Sequence, residues 1–249
     1  MTDVTTVIST VAPVAEGEFR IGRVFSRTLT LLSRNFPIYF AVAAVAALPS
    51  VFVDTSTSGQ EAKFSAPLLS VLAMLVLSPL SQAIMLHTAF QDMSGRRISL
   101  SESLRAALSR WLPLIGLSIC VGFGVMLGTL MLIVPGIILI MMWYVANPAC
   151  IVERLGVFAS MRRSSELTKG HRWSIFGMWV LIAIASGVIS AVLKGVLGLT
   201  GSSGLVISGT LAWTALATAF GVVFAISTYH DLRVAKEGVD TRQIVAVFD

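Results

Sequence analysis

The densest group of charged side chains in the sequence is basic. It comprises Arg154, Arg162, Arg163, Lys169 and Arg172. Guanidinium and ammonium groups bind phosphate oxygens through charge-assisted hydrogen bonds, so the group is a candidate site for anionic lipid head groups, a phosphate-bearing ligand or a protein partner. The alternative is that these charges only orient a membrane protein, because Lys and Arg are enriched on the cytoplasmic side.

A second group of residues combines prolines with neutral amides inside apolar sequence. Its members are Pro79, Gln82, Asn147 and Pro148. Proline removes a backbone hydrogen bond and kinks a helix, and an amide beside such a kink can line a cavity. We expect helix kinks or a cavity at these positions, and kinks with close packing are the alternative.

Residues that could carry a reaction are not arranged for one in the sequence. His87, His171 and His230 have no carboxylate or cysteine at metal-ligand spacing, and no serine lies in a nucleophile motif. We therefore expect a protein without catalytic residues, metal or cofactor, and not an enzyme. Nucleic-acid binding is not expected either, because the basic residues occupy short segments between apolar runs.

The elements that position these residues are predicted to be membrane helices. Hydrophobic residues make up 55% of the 249 residues and charged residues 12%, against about 25% charged in soluble domains. We predict an all-α polytopic membrane bundle, with a flexible cytoplasmic tail over 1–18, a six-span membrane domain over 19–230 and a cytoplasmic tail over 231–249. The predicted spans are 36–53, 66–90, 112–132, 136–152, 174–196 and 204–228.

Three segments between the spans are predicted to lie on the membrane surface. The first precedes span one and places Ile21, Val24, Phe25, Leu29 and Leu32 opposite a row of arginines. The second follows a predicted capping box at Ser99 and Glu102 and reaches Trp111. The third covers residues 156–169, with Gly170 as its C-cap.

Spans three and four are predicted to form a tight hairpin that turns at Pro135-Gly136. Gly124 and Gly128 form a GxxxG pattern that would let another helix approach span three closely. In span four, Asn147-Pro148 is expected to unwind the last turn.

The distribution of basic residues predicts the orientation. Of the 18 Lys and Arg residues, sixteen fall on one side of the predicted spans. Both termini are therefore predicted to be cytoplasmic.

An internal repeat is also visible. Leu32 to Pro37 aligns with Leu108 to Pro113, and a looser third copy runs from Leu167 to Trp173. We expect three units, each a surface helix followed by two spans. Parallel repeats of this kind occur in transporters and are equally compatible with a scaffold.

The stretch from Pro135 to Trp173 resembles the signature of the bacterial glycerophosphoryl diester phosphodiesterase membrane-domain family. The residues that carry the resemblance are Pro135-Gly136, Trp143, Pro148, Val152-Glu153, Gly156, Arg163-Ser164, Leu167-Thr168, Gly170 and Trp173, with Tyr229, Asp231-Leu232-Arg233 and Lys236-Glu237-Gly238 near the end. The resemblance implies a six-span bacterial inner-membrane protein. It carries over no catalytic residue, because the phosphodiesterase motif is missing.

Two functions from different classes follow. The first is a non-enzymatic integral membrane protein that engages membrane lipids or a membrane or cytoplasmic protein partner through its basic cytoplasmic face. The alternative is a transporter of a small neutral or amphiphilic solute, which would require a polar cavity near Gln82. A membrane enzyme is the third and least supported, since it would require His171 to meet a carboxylate in a cleft.

Overall fold

The structure is a computed structural model that describes residues 21–57, 65–95 and 98–237, with only the backbone described for 49–57 and 65–74. This part of the chain is all-helical, as predicted. The helices are α1 (Ile21–Arg34), α2 (Phe36–Thr57), α3 (Ser65–Met93), α4 (Leu100–Met131), α5 (Ile133–Met142), α6 (Ala146–Val152), α7 (Val157–Thr168), α8 (Arg172–Gly198) and α9 (Ser203–Glu237). The expected tail over 1–18 lies outside the described residues. The first seven residues of the tail expected at 231–249 belong to α9.

Within the described residues, four helical segments are long and apolar enough to cross a membrane: α4, the joined α5 and α6, α8 and α9. The bent pair α1–α2 raises the number to five if it counts as one span. The six predicted spans therefore remain a prediction, and those at 36–53 and 66–90 fall partly on residues whose side chains are outside the described set.

The first surface helix is confirmed as a separate element. The chain bends by 89° between α1 and α2, and the bend falls at Asn35. The Asn35 carbonyl accepts the first backbone bonds of α2, from Ile38 at 3.1 Å and Tyr39 at 3.2 Å. The Asn35 side chain bonds Asp92 at the end of α3 at 3.1 Å. Asparagine is a preferred residue at such a helix start.

The second surface helix is not separate, so this prediction was wrong. Helix α4 runs unbroken from Leu100 through Pro113 to Met131, because Trp111 stands where Asn35 stands in the first copy and has no side chain that caps a new helix. The capping box is half formed. Ser99 accepts from the Glu102 amide at 3.4 Å, whereas Glu102 accepts from Gln91 at 3.2 Å and the Ser99 amide donates to Gln91.

The hairpin between spans three and four is confirmed, but its turn lies at Leu132 and not at Pro135-Gly136. Pro135 and Gly136 fall in the first turn of α5, where proline is tolerated because its missing amide hydrogen has no partner there anyway. Glycine is required at position 136 because α5 approaches α4 closely there, and a Cβ would lie 2.1 Å from Thr129 Oγ1. The glycines of the GxxxG pattern face the same hairpin partner, Gly124 against Trp143 and Gly128 against Leu139.

The fourth span is broken in its middle, which corrects the prediction that only its last turn unwinds. Helix α5 ends at Met142 and α6 begins at Ala146, with a turn over residues 143–145 between them. Pro148 cannot donate to the carbonyl four residues earlier, and its ring clashes with that carbonyl, so the helix breaks before it. Asn147 and Pro148 then lie in the first turn of α6.

Helix α9 forms the centre of the bundle and packs against α1, α2, α3, α6, α7 and α8. Its buried residues include Ala215, Ala219, Val223 and Ile226. Helix α8 lies at the periphery and contacts mainly α9 and α5, which leaves much of its apolar surface for lipid.

Polar contacts link the basic segments at one end of the bundle. Arg34 lies 3.7 Å from Asp92, Arg23 lies 3.8 Å from Asp231, and Arg110 donates to the Arg154 carbonyl at 3.0 Å. The arginine-bearing segments that were predicted to share a membrane face thus do share one end of the molecule.

Candidate functional site

The break in the fourth span is held by two hydroxyl side chains of α7, and we call this arrangement the clamp. Ser164 Oγ donates to the Met142 carbonyl at 2.8 Å and accepts from the Val145 amide at 3.2 Å. Thr168 Oγ1 lies 3.4 Å from the same carbonyl and donates to the Ser164 carbonyl at 2.9 Å. Both side chains are fully buried. Broken helices persist at membrane depth where Ser or Thr side chains pair the freed backbone groups, and the clamp does this.

The polar face of α7 explains why this segment is less amphipathic than α1. Its buried residues are Ser160, Ser164, Leu167 and Thr168. A face of hydroxyl groups suits backbone carbonyls and amides better than lipid chains. Helix α7 therefore packs on the protein, against α4, α5, α6 and α9. The C-cap of α7 is Lys169, and the predicted Gly170 follows it with a left-handed φ of +91°.

Arg163, one of the five predicted cations, is ion-paired inside the protein. Its Nε donates to both carboxylate oxygens of Glu153, at 2.8 and 3.0 Å, and its Nη2 pairs with Glu237 at the end of α9. Tyr229 donates to Glu153 at 2.6 Å, and Arg233 donates to Glu237 at 3.0 Å. We call these five residues the charge network.

The charge network is electrically balanced, with two arginines and two carboxylates. Burial tends to raise the pKa of Glu237, but hydrogen bonds from Arg233 and Arg163 outweigh it and hold the pKa below its usual value. Burial likewise tends to lower the pKa of Arg163, and its bonds to Glu153 and Glu237 raise it overall. The network therefore joins α6, α7 and α9 with its charges compensated.

A different arrangement lies at the end of α7. Lys236 of α9 donates to the Glu166 carbonyl, and Arg172 Nη2 donates to the hydroxyl of the adjacent residue, Ser165, at 3.5 Å. Lys169 follows within one helical turn. We call Lys169, Arg172 and Lys236 the cation cluster.

The cation cluster repels itself. Burial lowers the pKa of Lys236, and the charges of Lys169 and Arg172 lower it further, while Glu166 opposes them. A helix of 35 residues is roughly 50 Å long, well beyond the roughly 30 Å of hydrocarbon, so Lys236 lies outside the apolar part of α9. Arg172 Nε is buried and has no hydrogen-bond partner among the described residues.

The other two candidates of the basic group lie apart from the cation cluster. Arg162 is exposed and pairs with Glu166 one turn away at 2.9 Å. Arg154 is exposed in the turn between α6 and α7 and has a φ of +53°. Of the five predicted cations, the structure brings only Lys169 and Arg172 together, and it adds Lys236.

The predicted polar cavity is present beside the break. Asn147 Nδ2 donates to Gln82 Oε1 at 3.0 Å, and Gln82 Nε2 donates to Ser78 at 3.2 Å. These amides border a cavity of about 300 Å³, which we call the amide cavity. It is lined by Gln82, Leu86, Tyr144, Asn147, Pro148, Thr218, Gly221, Val222 and Ala225. Pro79 is buried within a continuous α3 and does not line it.

Sequence reasoning missed the carboxylates that neutralise Arg163 and the lysine that completes the cation cluster. Glu237 and Lys236 lie more than 60 residues from α7 and were assigned to a tail. The clamp had a local signal, since Ser164 and Thr168 are four residues apart and share one helix face beside Leu167.

These features define a class: an all-helical protein with several helices long and apolar enough to span a membrane. Residues 113–232, somewhat less than half of the chain, match the profile of a family described as Domain of unknown function (DUF7847). The matched segment contains the break, the clamp and Arg163. No curated protein and no solved structure matches the chain.

Proposed function

We propose that this chain is a non-enzymatic integral membrane protein whose cation cluster binds the phosphate of an anionic lipid. The observation that supports it is that Lys236 and Arg172 donate to two adjacent residues of α7 and have Lys169 beside them. Self-repulsion among three cations is relieved when a phosphate binds between them. The exposed Trp173, next to Arg172, is suited to the membrane–water interface.

The experiment is lipid retention by native mass spectrometry. Purified protein carrying Lys169→Ala, Arg172→Ala and Lys236→Ala is compared with wild type after incubation with phosphatidylglycerol. The matched control is Arg162→Ala, which removes a cation from α7 outside the cluster. We expect the triple variant to lose phosphatidylglycerol adducts and the control to keep them. Equal retention by wild type and triple variant would contradict the proposal. Competition by free inorganic phosphate would indicate a soluble ligand instead of a lipid.

The proposal includes a topology of six spans in a bacterial inner membrane with both termini cytoplasmic. It is supported by the gathering of the basic segments at one end of the bundle. Reporter fusions after Gly59 and after Gly170 test it, with an outside signal expected from the first and an inside signal from the second. An outside signal after Gly170 would reverse the orientation. The resemblance to the phosphodiesterase membrane-domain family remains a prediction.

A transporter of a small neutral or amphiphilic solute is the second candidate. The amide cavity favours it, because transporter sites form where spanning helices are interrupted near the bilayer middle. Uptake of a solute into proteoliposomes, sensitive to Asn147→Leu, would be the expected result. Equal flux in proteoliposomes with and without the protein would count against transport.

A further inference from the structure

Four hydroxyl groups on α8 and α9 lack the intrahelical hydrogen bond that several other hydroxyl groups of the spans make. Thr129, Thr210, Ser227 and Thr228 each donate to the carbonyl four residues earlier in their helix, which satisfies a hydroxyl in an apolar setting. Ser186, Ser190, Thr214 and Thr218 make no hydrogen bond to any described residue, although each is half-buried. Unpaired hydroxyls at membrane depth are costly unless something else bonds them.

These four side chains line one groove between α8 and α9, which we call the hydroxyl groove. Its volume is about 480 Å³, and its other lining residues are Gly187, Trp213 and Ala217. Thr218 lines both this groove and the amide cavity. Gly221 and Ala225 continue the same face of α9 at helical spacing. The groove and the cavity therefore follow one another along α9.

The amide cavity lies at the depth of the hydrocarbon core of the bilayer. Gln82 is eleven residues before the end of α3 at Met93, which places it roughly 16 Å from that end, near the middle of a bilayer about 30 Å thick. The Asn147 oxygen Oδ1 makes no hydrogen bond to a described residue, since the single bond of this side chain leaves through Nδ2. The cavity thus offers a neutral acceptor, and the groove offers hydroxyls.

The groove and cavity open sideways. Gly187 and Gly221 are exposed, and a Cβ at either position would meet nothing within 4 Å. Lining residues of both are uncharged. A molecule can enter from the lipid phase without crossing a charged surface, and an ionised head group would find no counter-charge there.

We infer that the amide cavity and hydroxyl groove together bind an uncharged amphiphile that carries a free hydroxyl group, of the diacylglycerol type. Its hydroxyl donates to Asn147, and its ester carbonyls accept from the hydroxyl groove while its chains extend into the bilayer. This site shares no residue with the cation cluster and does not depend on anion binding. It requires binding alone and not transport.

The test uses a diacylglycerol with a photoactivatable diazirine on the glycerol-proximal part of one chain, in phosphatidylcholine vesicles that contain the purified protein. Crosslinked peptides are mapped by mass spectrometry. We expect crosslinks in peptides that contain residues 143–152 or 213–225, removed by an excess of unlabelled dioleoylglycerol and kept in an excess of dioleoylphosphatidic acid. Equal competition by phosphatidic acid would overturn the assignment of a neutral head group.

Gly221→Leu fills the cavity without a backbone clash and should reduce these crosslinks to background. The matched control is Gly122→Leu on α4, where the glycine is equally exposed and a Cβ also meets nothing within 4 Å. Thr218→Val should weaken competition by dioleoylglycerol about fivefold, the loss of one hydrogen bond, whereas Thr210→Val should not. Unchanged crosslinking in Gly221→Leu, or labelling of α4 as strong as that of α9, would overturn the inference.

Discussion

Helix α7 lies between two groups of charges that differ in how far they are compensated. On one side, the Arg163 side chain is only 21% exposed, lies between Glu153 and Glu237, and joins three helices in a neutral charge network. At its C-terminal end, Lys236 and Arg172 are placed beside Lys169 with Glu166 as the opposing carboxylate. The first arrangement is built for stability. The second keeps an excess of positive charge, which a bound anion would compensate.

The difference teaches how to read a basic segment of a membrane protein. Five cations between Arg154 and Arg172 suggest one anion-binding surface, but partners from α6 and α9 divide them. The number of cations on each side predicts the orientation of a protein in the membrane. The positions of the carboxylates decide which of these cations remain available to bind an anion. Variants of the charge network should therefore change stability, and variants of the cation cluster should change binding.

The largest effect is expected for Arg163→Ala. It leaves Glu153 and Glu237 without their shared partner, and removal of one member of a largely enclosed ion pair costs about 3 kcal/mol. Thermal unfolding in detergent, followed by circular dichroism, should show a lower Tm. Arg162→Ala is the control, because its exposed pair with Glu166 contributes at most about 1 kcal/mol. Equal Tm values for the two variants would remove the distinction between network and surface cation.

Ser164→Ala should cost about 2 kcal/mol, since the Met142 carbonyl and the Val145 amide lose a buried partner together. The readout is again the unfolding temperature, with hydrogen exchange of residues 142–146 as a local measure. Ser109→Ala serves for comparison, because the exposed Ser109 donates only to Ala106 in its own helix. Faster exchange is expected at the break in Ser164→Ala alone. Unchanged exchange there would mean that the clamp does not hold the break.

Arg154→Gly is expected to raise stability by about 1 kcal/mol. Arg154 has a φ of +53°, a left-handed conformation that costs a non-glycine residue roughly that amount. The same variant should retain phosphatidylglycerol as wild type does, because Arg154 lies outside the cation cluster. Loss of lipid adducts in Arg154→Gly would extend the anion site to this turn.

The smallest effects concern pH, and the two groups should respond at opposite ends of the range. The folded pKa of Glu237 lies below its unfolded value, so its contribution is present above the unfolded pKa and is lost as pH falls through the folded one. The folded pKa of Lys236 also lies below its unfolded value, so the unfolded chain binds more protons between the two and stability rises with pH there. Unfolding curves of Glu237→Gln and Lys236→Gln should lose the acid and the alkaline response respectively. A matching loss in the opposite variant would contradict these assignments.

Local sequence signals predicted the helices and much of their bounds. The amphipathic pattern at Ile21–Arg34 and the left-handed Gly170 were right because neighbours along the chain decide them. The two copies of the repeat show where such signals fail. Both contain Leu-Ser-Arg followed by a proline three residues on, yet one bends by 89° and the other continues as a helix. The two copies differ at Asn35 against Trp111, and the Asn35 side chain at the bend donates to Asp92.

Residues of the candidate sites could be predicted in two cases only. Either the two contacting residues are near in sequence, or they are uncharged polar residues within an apolar run. Gln82 and Asn147 were identified because amides in membrane helices are unusual, and the structure brings them to a bond of 3.0 Å. Glu237, the distant partner of Arg163, could not be assigned, because the pairing of α7 with the end of α9 depends on tertiary packing of helices that share no local pattern.

The clamp also has a consequence for the order in which the protein can assemble. The Met142 carbonyl and the Val145 amide, which are freed at the break, can be paired only after Ser164 has been synthesised, 19 positions after Val145. Glu153 at the end of α6 bonds Tyr229, which follows it by 76 positions. During synthesis the fourth span therefore enters the membrane before the residues that fix its shape exist. Pro148 interrupts the helix by itself, but the contacts that hold the break are complete only after α9 has been made, so a chain truncated before α9 should be more sensitive to protease at the break.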